Sequence, residues 1–214
     1  MLAIGVLASG SGTNLASLIE AIEAGRVSAR IAVVICNVPG AGALQRAEAA
    51  GIRAVCIPHR EHESREAFDA AVQAELERSG VELVVLAGFM RILTSAFVRG
   101  WHGRLINVHP SLLPAFPGFA AHKQALDAGA RITGCTVHLV DEGTDTGPIV
   151  AQAAVPILPG DDEAALHARI QKQEHQLLPA VVGLFAAGRV RLEGRKVLLD
   201  VRGDPDAALQ VPQA

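Results

Sequence analysis

The sequence contains no tyrosine, one tryptophan and only 3% aromatic residues in 214 positions. Proteins that grip single-stranded nucleic acid stack bases on aromatic rings and track the backbone with basic patches. This chain has few such rings, a net charge of −3 and no long basic run, so no nucleic-acid partner is expected. No apolar stretch approaches the length that spans a bilayer, and no membrane partner is expected either. Three cysteines, Cys36, Cys56 and Cys135, are an odd number with no Cys-x-x-Cys spacing. Cys36 and Cys135 lie in apolar runs and read as reduced, buried thiols of a cytoplasmic protein. The N-terminal run M-L-A-I-G-V-L-A lacks a positive start and leads into a glycine loop, as a first β-strand does and a signal peptide does not.

Half of the residues are hydrophobic, enough for a sizeable core. The first half alternates two periodicities. Apolar runs near 2–8, 31–37, 54–58 and 82–87 read as buried strands. Between them Leu15, Leu18, Ile19 and Ile22 form a helical stripe stopped by Gly25, residues 41–50 are alanine-rich, and Phe68, Val72 and Leu76 mark a third helix. This is the pattern of an α/β fold: a doubly wound, mostly parallel sheet with helices on both faces. Further on, the pattern gives a short helix near 94–99, a strand 104–109, a proline-rich loop 110–118, a helix 121–128, and strands 132–140 and 149–155. A long helix over about 161–187 is expected to kink or break at Pro179. Residues 190–199 read as a hairpin. One domain over 1–200 is expected, with a loosely ordered tail over 201–214.

Several stretches carry chemistry. A-S-G-S-G-T-N, residues 8–14, joins the first strand to the first helix. Glycines let the backbone approach a ligand, and free N–H groups with the helix dipole favour an anion there. No Gly-Lys-Ser/Thr follows, and the third glycine of a dinucleotide loop is replaced by Leu15. A phosphate monoester fits better than NAD or ATP; an ordinary tight turn capped by Thr13 or Asn14 is the plainer alternative. In I-N-V-H-P-S-L-L-P, residues 106–114, Asn107 and His109 are two apart and share a strand face. Asp145 lies in the turn-rich loop 141–148. If the loops gather at the strand ends, a neutral NH₂ donor, a titratable imidazole and a carboxylate would suit acyl transfer to an amine. A satisfied buried histidine and a turn-forming aspartate would explain the same residues. Ser111 has no G-x-S-x-G elbow around it, which argues against a serine hydrolase. His59, Glu61, His62 and Glu63 sit in a charged loop without a fourth ligand, so no metal is expected. His138 reads as a supporting residue.

Taken in order, S-G-S-G-T-N-L, L-A-G-F-M-R-I-L (86–93), I-N-V-H-P-S-L-L-P, G-C-T-V-H (134–138), D-T-G-P-I (145–149) and Q-x-x-E-H (171–175) resemble the phosphoribosylglycinamide formyltransferase family. The resemblance spans roughly 1–200. It implies transfer of a formyl group from 10-formyltetrahydrofolate, as co-substrate and without metal, to the amine of phosphoribosylglycinamide in purine synthesis. It implies catalytic roles for Asn107, His109 and Asp145. Gly12, Thr13 and Asn14 would hold the phosphate, and Glu174 the ribose hydroxyls. Arg65, Met90, Arg91, Ile92 and Leu93, with Asn107, would form the folate pocket, and loop 141–145 would close on the pterin. A homodimer is compatible with the family. The sequence departs from the usual motif at Ala120, where relatives often carry a polar residue. A formyltetrahydrofolate hydrolase with the same Asn-His-Asp core is the alternative; that family usually adds an N-terminal regulatory domain. Methionyl-tRNA formyltransferase, with an extra domain and a basic surface, fits poorly.

Overall fold

The computed structural model of the chain describes residues 1–200; the tail expected over 201–214 lies outside them. Five strands run parallel: β1 (Leu2–Ala8), β2 (Ala29–Cys36), β3 (Ala54–Cys56), β4 (Leu83–Leu86) and β5 (Leu105–His109). Two antiparallel strands, β6 (Ile132–Leu139) and β7 (Ile149–Pro156), extend the sheet to the order β3-β2-β1-β4-β5-β6-β7. The helices are α1 (Thr13–Glu23), α2 (Gly42–Ala49), α3 (Arg65–Arg78), α4 (Ser95–Gly100), α5 (Ala121–Asp127) and α6 (Glu163–Ala186). A hairpin of β8 (Val190–Glu193) and β9 (Lys196–Leu199) forms a separate two-stranded sheet.

The central strands are apolar on both faces because both faces are covered. Alternate residues go to opposite cores. Ile4, Val6 and Ala8 of β1 pack with Leu15 and Leu18 of α1 and Val181 of α6. Leu7 packs on the other side with Phe68, Val72 and Leu76 of α3 and Trp101 after α4. Leu76 is fully buried there; truncation to alanine would cost about 2–5 kcal/mol. Local signals end the elements. Ser64, Thr94 and Asp162 accept the N–H groups of Ala67, Phe97 and Ala165 as helix caps.

Some boundaries differ from the sequence expectation for physical reasons. β3 stops at Cys56, short of 58, because Pro58 has no N–H to give to a ladder. Asn37 lies beyond β2, where its side chain pairs with Ser9 and His59 instead. The expected break at Pro179 does not occur: α6 runs unbroken from 163 to 186. The proline removes one N–H, and its buried ring sits among the packed turns of a long helix, which carry the loss.

The order reverses between β1 and β4: β2 and β3 lie on one side of β1, β4 and β5 on the other. Loops leaving the C-terminal ends of β1 and β4 therefore diverge and leave a crevice. Two hydrogen bonds tie them at its base: Ser9 N–H donates to Gly88 O at 3.1 Å, and Met90 N–H to Ser9 Oγ at 2.8 Å.

Candidate active site

β5 delivers Asn107 and His109 to this edge of the sheet on one face, as their spacing requires. The antiparallel partner β6 sets His138 opposite Asn107 and Thr136 opposite His109. The loop between β6 and β7 then returns Asp145 to the same place. Asp145 adopts φ 54°, the left-handed region. Such a conformation costs of order 1–3 kcal/mol and persists where surroundings impose it. Gly143 and Gly147 let the loop fold so tightly: a Cβ would meet Thr146 Oγ1 at 2.1 Å in the first case and Leu139 O at 1.7 Å in the second.

The contacts follow donor and acceptor logic. His109 Nδ1 lies 3.3 Å from Asp145 Oδ2, and its Nε2 lies 3.0 Å from Phe116 O. Both neighbours only accept, so a proton on either ring nitrogen faces an acceptor. His138 Nδ1 donates to Leu139 O at 2.9 Å. Its Nε2 lies 3.2 Å from Asn107 Nδ2, a contact that orients the Asn107 amide and leaves an N–H of it for a ligand. Asp145 Oδ1 is 3.6 Å from His138 Nε2, beyond hydrogen-bond length. Burial pushes the Asp145 carboxyl up. The His138 side chain, the Gly118 N–H and the His109 charge outweigh burial and hold it below the usual carboxylate range. The pair is mostly enclosed, with side-chain exposures of 7% for His109 and 13% for Asp145.

These residues open into a cavity of about 410 Å³, lined by Met90, Arg91, Ile92 and Leu93 on one side and by Gly118, Phe119 and loop 142–145 on the other. Met90, Ile92 and Phe119 leave large apolar surfaces exposed, the mark of a ligand groove. Arg91 Nε is buried there without a partner. Asp69, buried on α3, accepts Thr94 N–H at 2.7 Å and anchors the end of this wall. Arg65 is exposed at the start of α3 and is not among the lining residues.

The glycine loop lies across the crevice. Gly12 holds φ 73° as the N-cap of α1 and supplies no side-chain cap. A Cβ on it would stand 2.7 Å from Ala43 Cα, so glycine is required for both reasons. Asn14 Nδ2 donates to Glu174 Oε2 at 3.0 Å, while Asn14 Oδ1 is buried with no partner. Burial pushes the Glu174 carboxyl up, and the Asn14 bond only partly offsets it. Gln171, one turn before Glu174, reaches Thr13 Oγ1 at 3.1 Å.

Thus Asn107, His109 and Asp145 are brought together, as are Thr13, Asn14 and Glu174. Sequence reasoning missed Thr136 and Gln152. Thr136 Oγ1 donates to Ser111 O at 2.7 Å and accepts Leu113 N–H at 3.0 Å, and Gln152 Nε2 donates to Leu113 O at 2.9 Å. Together they pin the loop that follows His109. Ser111 gives its hydroxyl to Ala115 O, and Ala120 enters α5 at φ 55° with no side-chain cap. Cys36 and Cys135 are free and buried, while Cys56 is exposed. Among the described residues, no group of three His, Cys, Asp or Glu side chains could hold a metal ion, and no helix is long and apolar enough to cross a membrane.

The formyl transferase family model matches residues 2–182. The phosphoribosylglycinamide formyltransferase of Escherichia coli is 42% identical over 195 residues, covering 91% of this chain and 92% of that protein. The trifunctional purine biosynthetic protein adenosine-3 of Drosophila pseudoobscura is 53% identical over 190 residues; these are 88% of this chain but only 14% of that much longer protein. The crystal structure of glycinamide ribonucleotide transformylase 1 from Symbiobacterium toebii superposes with a TM-score of 0.91 at 47% identity, over 93% of this chain and 94% of that one. On this sequence and structural agreement, the chain belongs to the formyl transferase family, in its phosphoribosylglycinamide formyltransferase branch.

Proposed function

We propose that residues 1–200 form one formyltransferase domain. It moves the formyl group of 10-formyltetrahydrofolate to the amine of phosphoribosylglycinamide, in the cytoplasm and as a step of purine synthesis. The observation that carries the chemistry is the His109 ring, set between the Asp145 carboxylate and Phe116 O beside the Asn107 amide in the cavity. A formyl carbonyl attacked by an amine develops negative charge on oxygen. The Asn107 N–H aimed at that oxygen, joined by the His109 Nε2–H once it leaves Phe116 O for the substrate, stabilises it in a site largely closed to water.

The site divides the labour by chemistry. The uncapped first turn of α1, entered through Gly12, Thr13 and Asn14, suits a phosphate monoester. Glu174 and the unpartnered Asn14 Oδ1 are acceptors for ribose hydroxyls. The apolar wall 90–93 and the unpartnered Arg91 Nε suit a flat heteroaromatic ring with polar edges. In the reaction the amine nitrogen bonds to the formyl carbon, and the bond from that carbon to the folate nitrogen breaks. His109 gives a proton to the departing nitrogen. The proton shed by the attacking amine passes through water toward Asp145, which restores the proton to His109.

Consumption of 10-formyltetrahydrofolate, followed spectrophotometrically with and without phosphoribosylglycinamide, tests this. Consumption that requires the nucleotide supports the transferase. Equal consumption without it would make the protein a hydrolase, a reading that the transferases among its relatives do not favour.

A further inference from the structure

The β8–β9 hairpin lies beyond the residues matched by the family model, which end at 182. It nevertheless reaches the loop that carries Asp145. Arg195, in the hairpin turn, donates Nη2–H to Thr146 O at 2.7 Å, and its Nη1 lies 3.5 Å from Asp141 Oδ2. Asp141 is the internal brace of that loop: its Oδ1 accepts Gly143 N–H at 3.1 Å and Thr146 Oγ1–H at 2.6 Å. One guanidinium thus joins both ends of 141–146, and the carbonyl it holds belongs to Thr146, the residue after Asp145. On the outer flank Arg99 pairs with Glu142 at 3.0 Å.

The brace opposes a local strain. Asp145 sits in the left-handed region without being glycine, so the loop stores strain that relaxes if its ends part. Relaxation would withdraw the carboxylate from His109 and open one wall of the cavity, which loop 142–145 forms. The fork of a guanidinium suits two acceptors at fixed separation, where an ammonium is a single point charge.

We propose that Arg195 is a positioning residue: from the C-terminal hairpin it clamps the loop 141–146, and so sets both the place of Asp145 and the formyl-donor side of the cavity. The kinetic part of this rests on the function proposed above; the structural part does not. Arg195 is largely exposed, so its loss leaves the core intact.

The test compares the whole protein with Arg195→Ala, Arg195→Lys and the control Lys196→Ala, which removes a charge from the same hairpin. Hydrogen exchange is followed in 141–147, and KM is measured for each substrate separately. In Arg195→Ala, exchange in 141–147 should quicken about three- to tenfold, the size expected of an exposed pair plus one charged hydrogen bond. The kcat/KM for 10-formyltetrahydrofolate should fall by a similar factor, with KM for the nucleotide within about twofold, because Thr13, Asn14 and Glu174 are untouched. Arg195→Lys should fall between, and Lys196→Ala should match the unaltered protein. Unchanged exchange in 141–147 would overturn the clamp, as would a uniform rise in exchange over the whole sheet with both substrates affected alike. If the unaltered protein makes no formylated product, the function reading fails, and the exchange comparison still decides the clamp.

Discussion

Replacing Asp145 by asparagine tests the site at its centre. The two side chains have the same shape, and the amide oxygen of the replacement could still accept the Gly118 N–H, as Asp145 does at 2.8 Å. What changes is charge. The pair's closest approach is 3.3 Å, which gives an attraction of about 5 kcal/mol at an effective dielectric near 20, before desolvation is subtracted. The net worth of one charged hydrogen bond is smaller, about 1.5–3 kcal/mol, or roughly 10- to 150-fold in an equilibrium. The Gly118 N–H and His109 Nδ1 both meet Oδ2, so the amide oxygen placed there faces both groups but brings no charge. The negative charge that would favour a protonated His109 ring is lost, and with it the best donor to the oxyanion. Loss of a general acid costs about 10²–10⁴-fold in rate.

The variant should therefore lose about 10²-fold or more in kcat, while KM for both substrates changes little because neither the glycine loop nor the 90–93 wall is altered. Nucleotide-dependent consumption of 10-formyltetrahydrofolate reads both quantities. Near-normal turnover would remove Asp145 from the mechanism.

Three further outcomes follow from the geometry. Because the Asp145 carboxyl sits below its ordinary value of 3.8 in the fold, its stabilising contribution is present above that pH and fades as pH falls through the lower folded value. The melting-temperature gap between the native protein and Asp145→Asn should accordingly narrow below about pH 4. Glu174 has the opposite sign: its folded value is raised above 4.5, so stability is greatest below that pH and is lost as pH rises through the raised value. Glu174→Gln should melt higher than the native protein at pH 8 and equally at pH 4, each kcal/mol appearing as about 2–4 °C, while KM for the nucleotide rises about tenfold or more; equal melting at both pH values would contradict the burial argument. Gly12→Ala should raise KM for the nucleotide and leave that for the formyl donor unchanged, with a stability loss of about 1–3 kcal/mol from the left-handed backbone and the clash with Ala43; a variant that binds the nucleotide normally would refute the phosphate role of the loop.

What was legible in the sequence was whatever a short period encodes. The two-residue period of β5 puts Asn107 and His109 on one face wherever the strand lies, and the glycines at 10 and 12 mark a tight turn before a helix whichever sheet it joins. The alternation of apolar runs with helical stripes likewise requires a parallel sheet covered on both faces, as Leu7 and Val6 demonstrate by entering different cores. The residues that make the site chemically definite were not legible, because each depends on a partner far along the chain. His138 orients Asn107 only through the antiparallel register of β5 and β6, 31 residues apart. Thr136 steadies the loop after His109 by the same register, and Arg195 reaches Asp141 across 54 residues. Pro179 shows the converse: a local rule predicts a break, and the packing of a 24-residue helix overrides it. Periodicity therefore locates the candidate groups, and tertiary register decides which partners each one meets. A place for a doubly protonated His109 ring follows from neither its sequence position nor Asp145 alone, since a neutral ring could satisfy one acceptor. It takes the Phe116 carbonyl on the far side of the ring, delivered by a left-handed residue in the proline-rich loop, to give a second ring proton its acceptor.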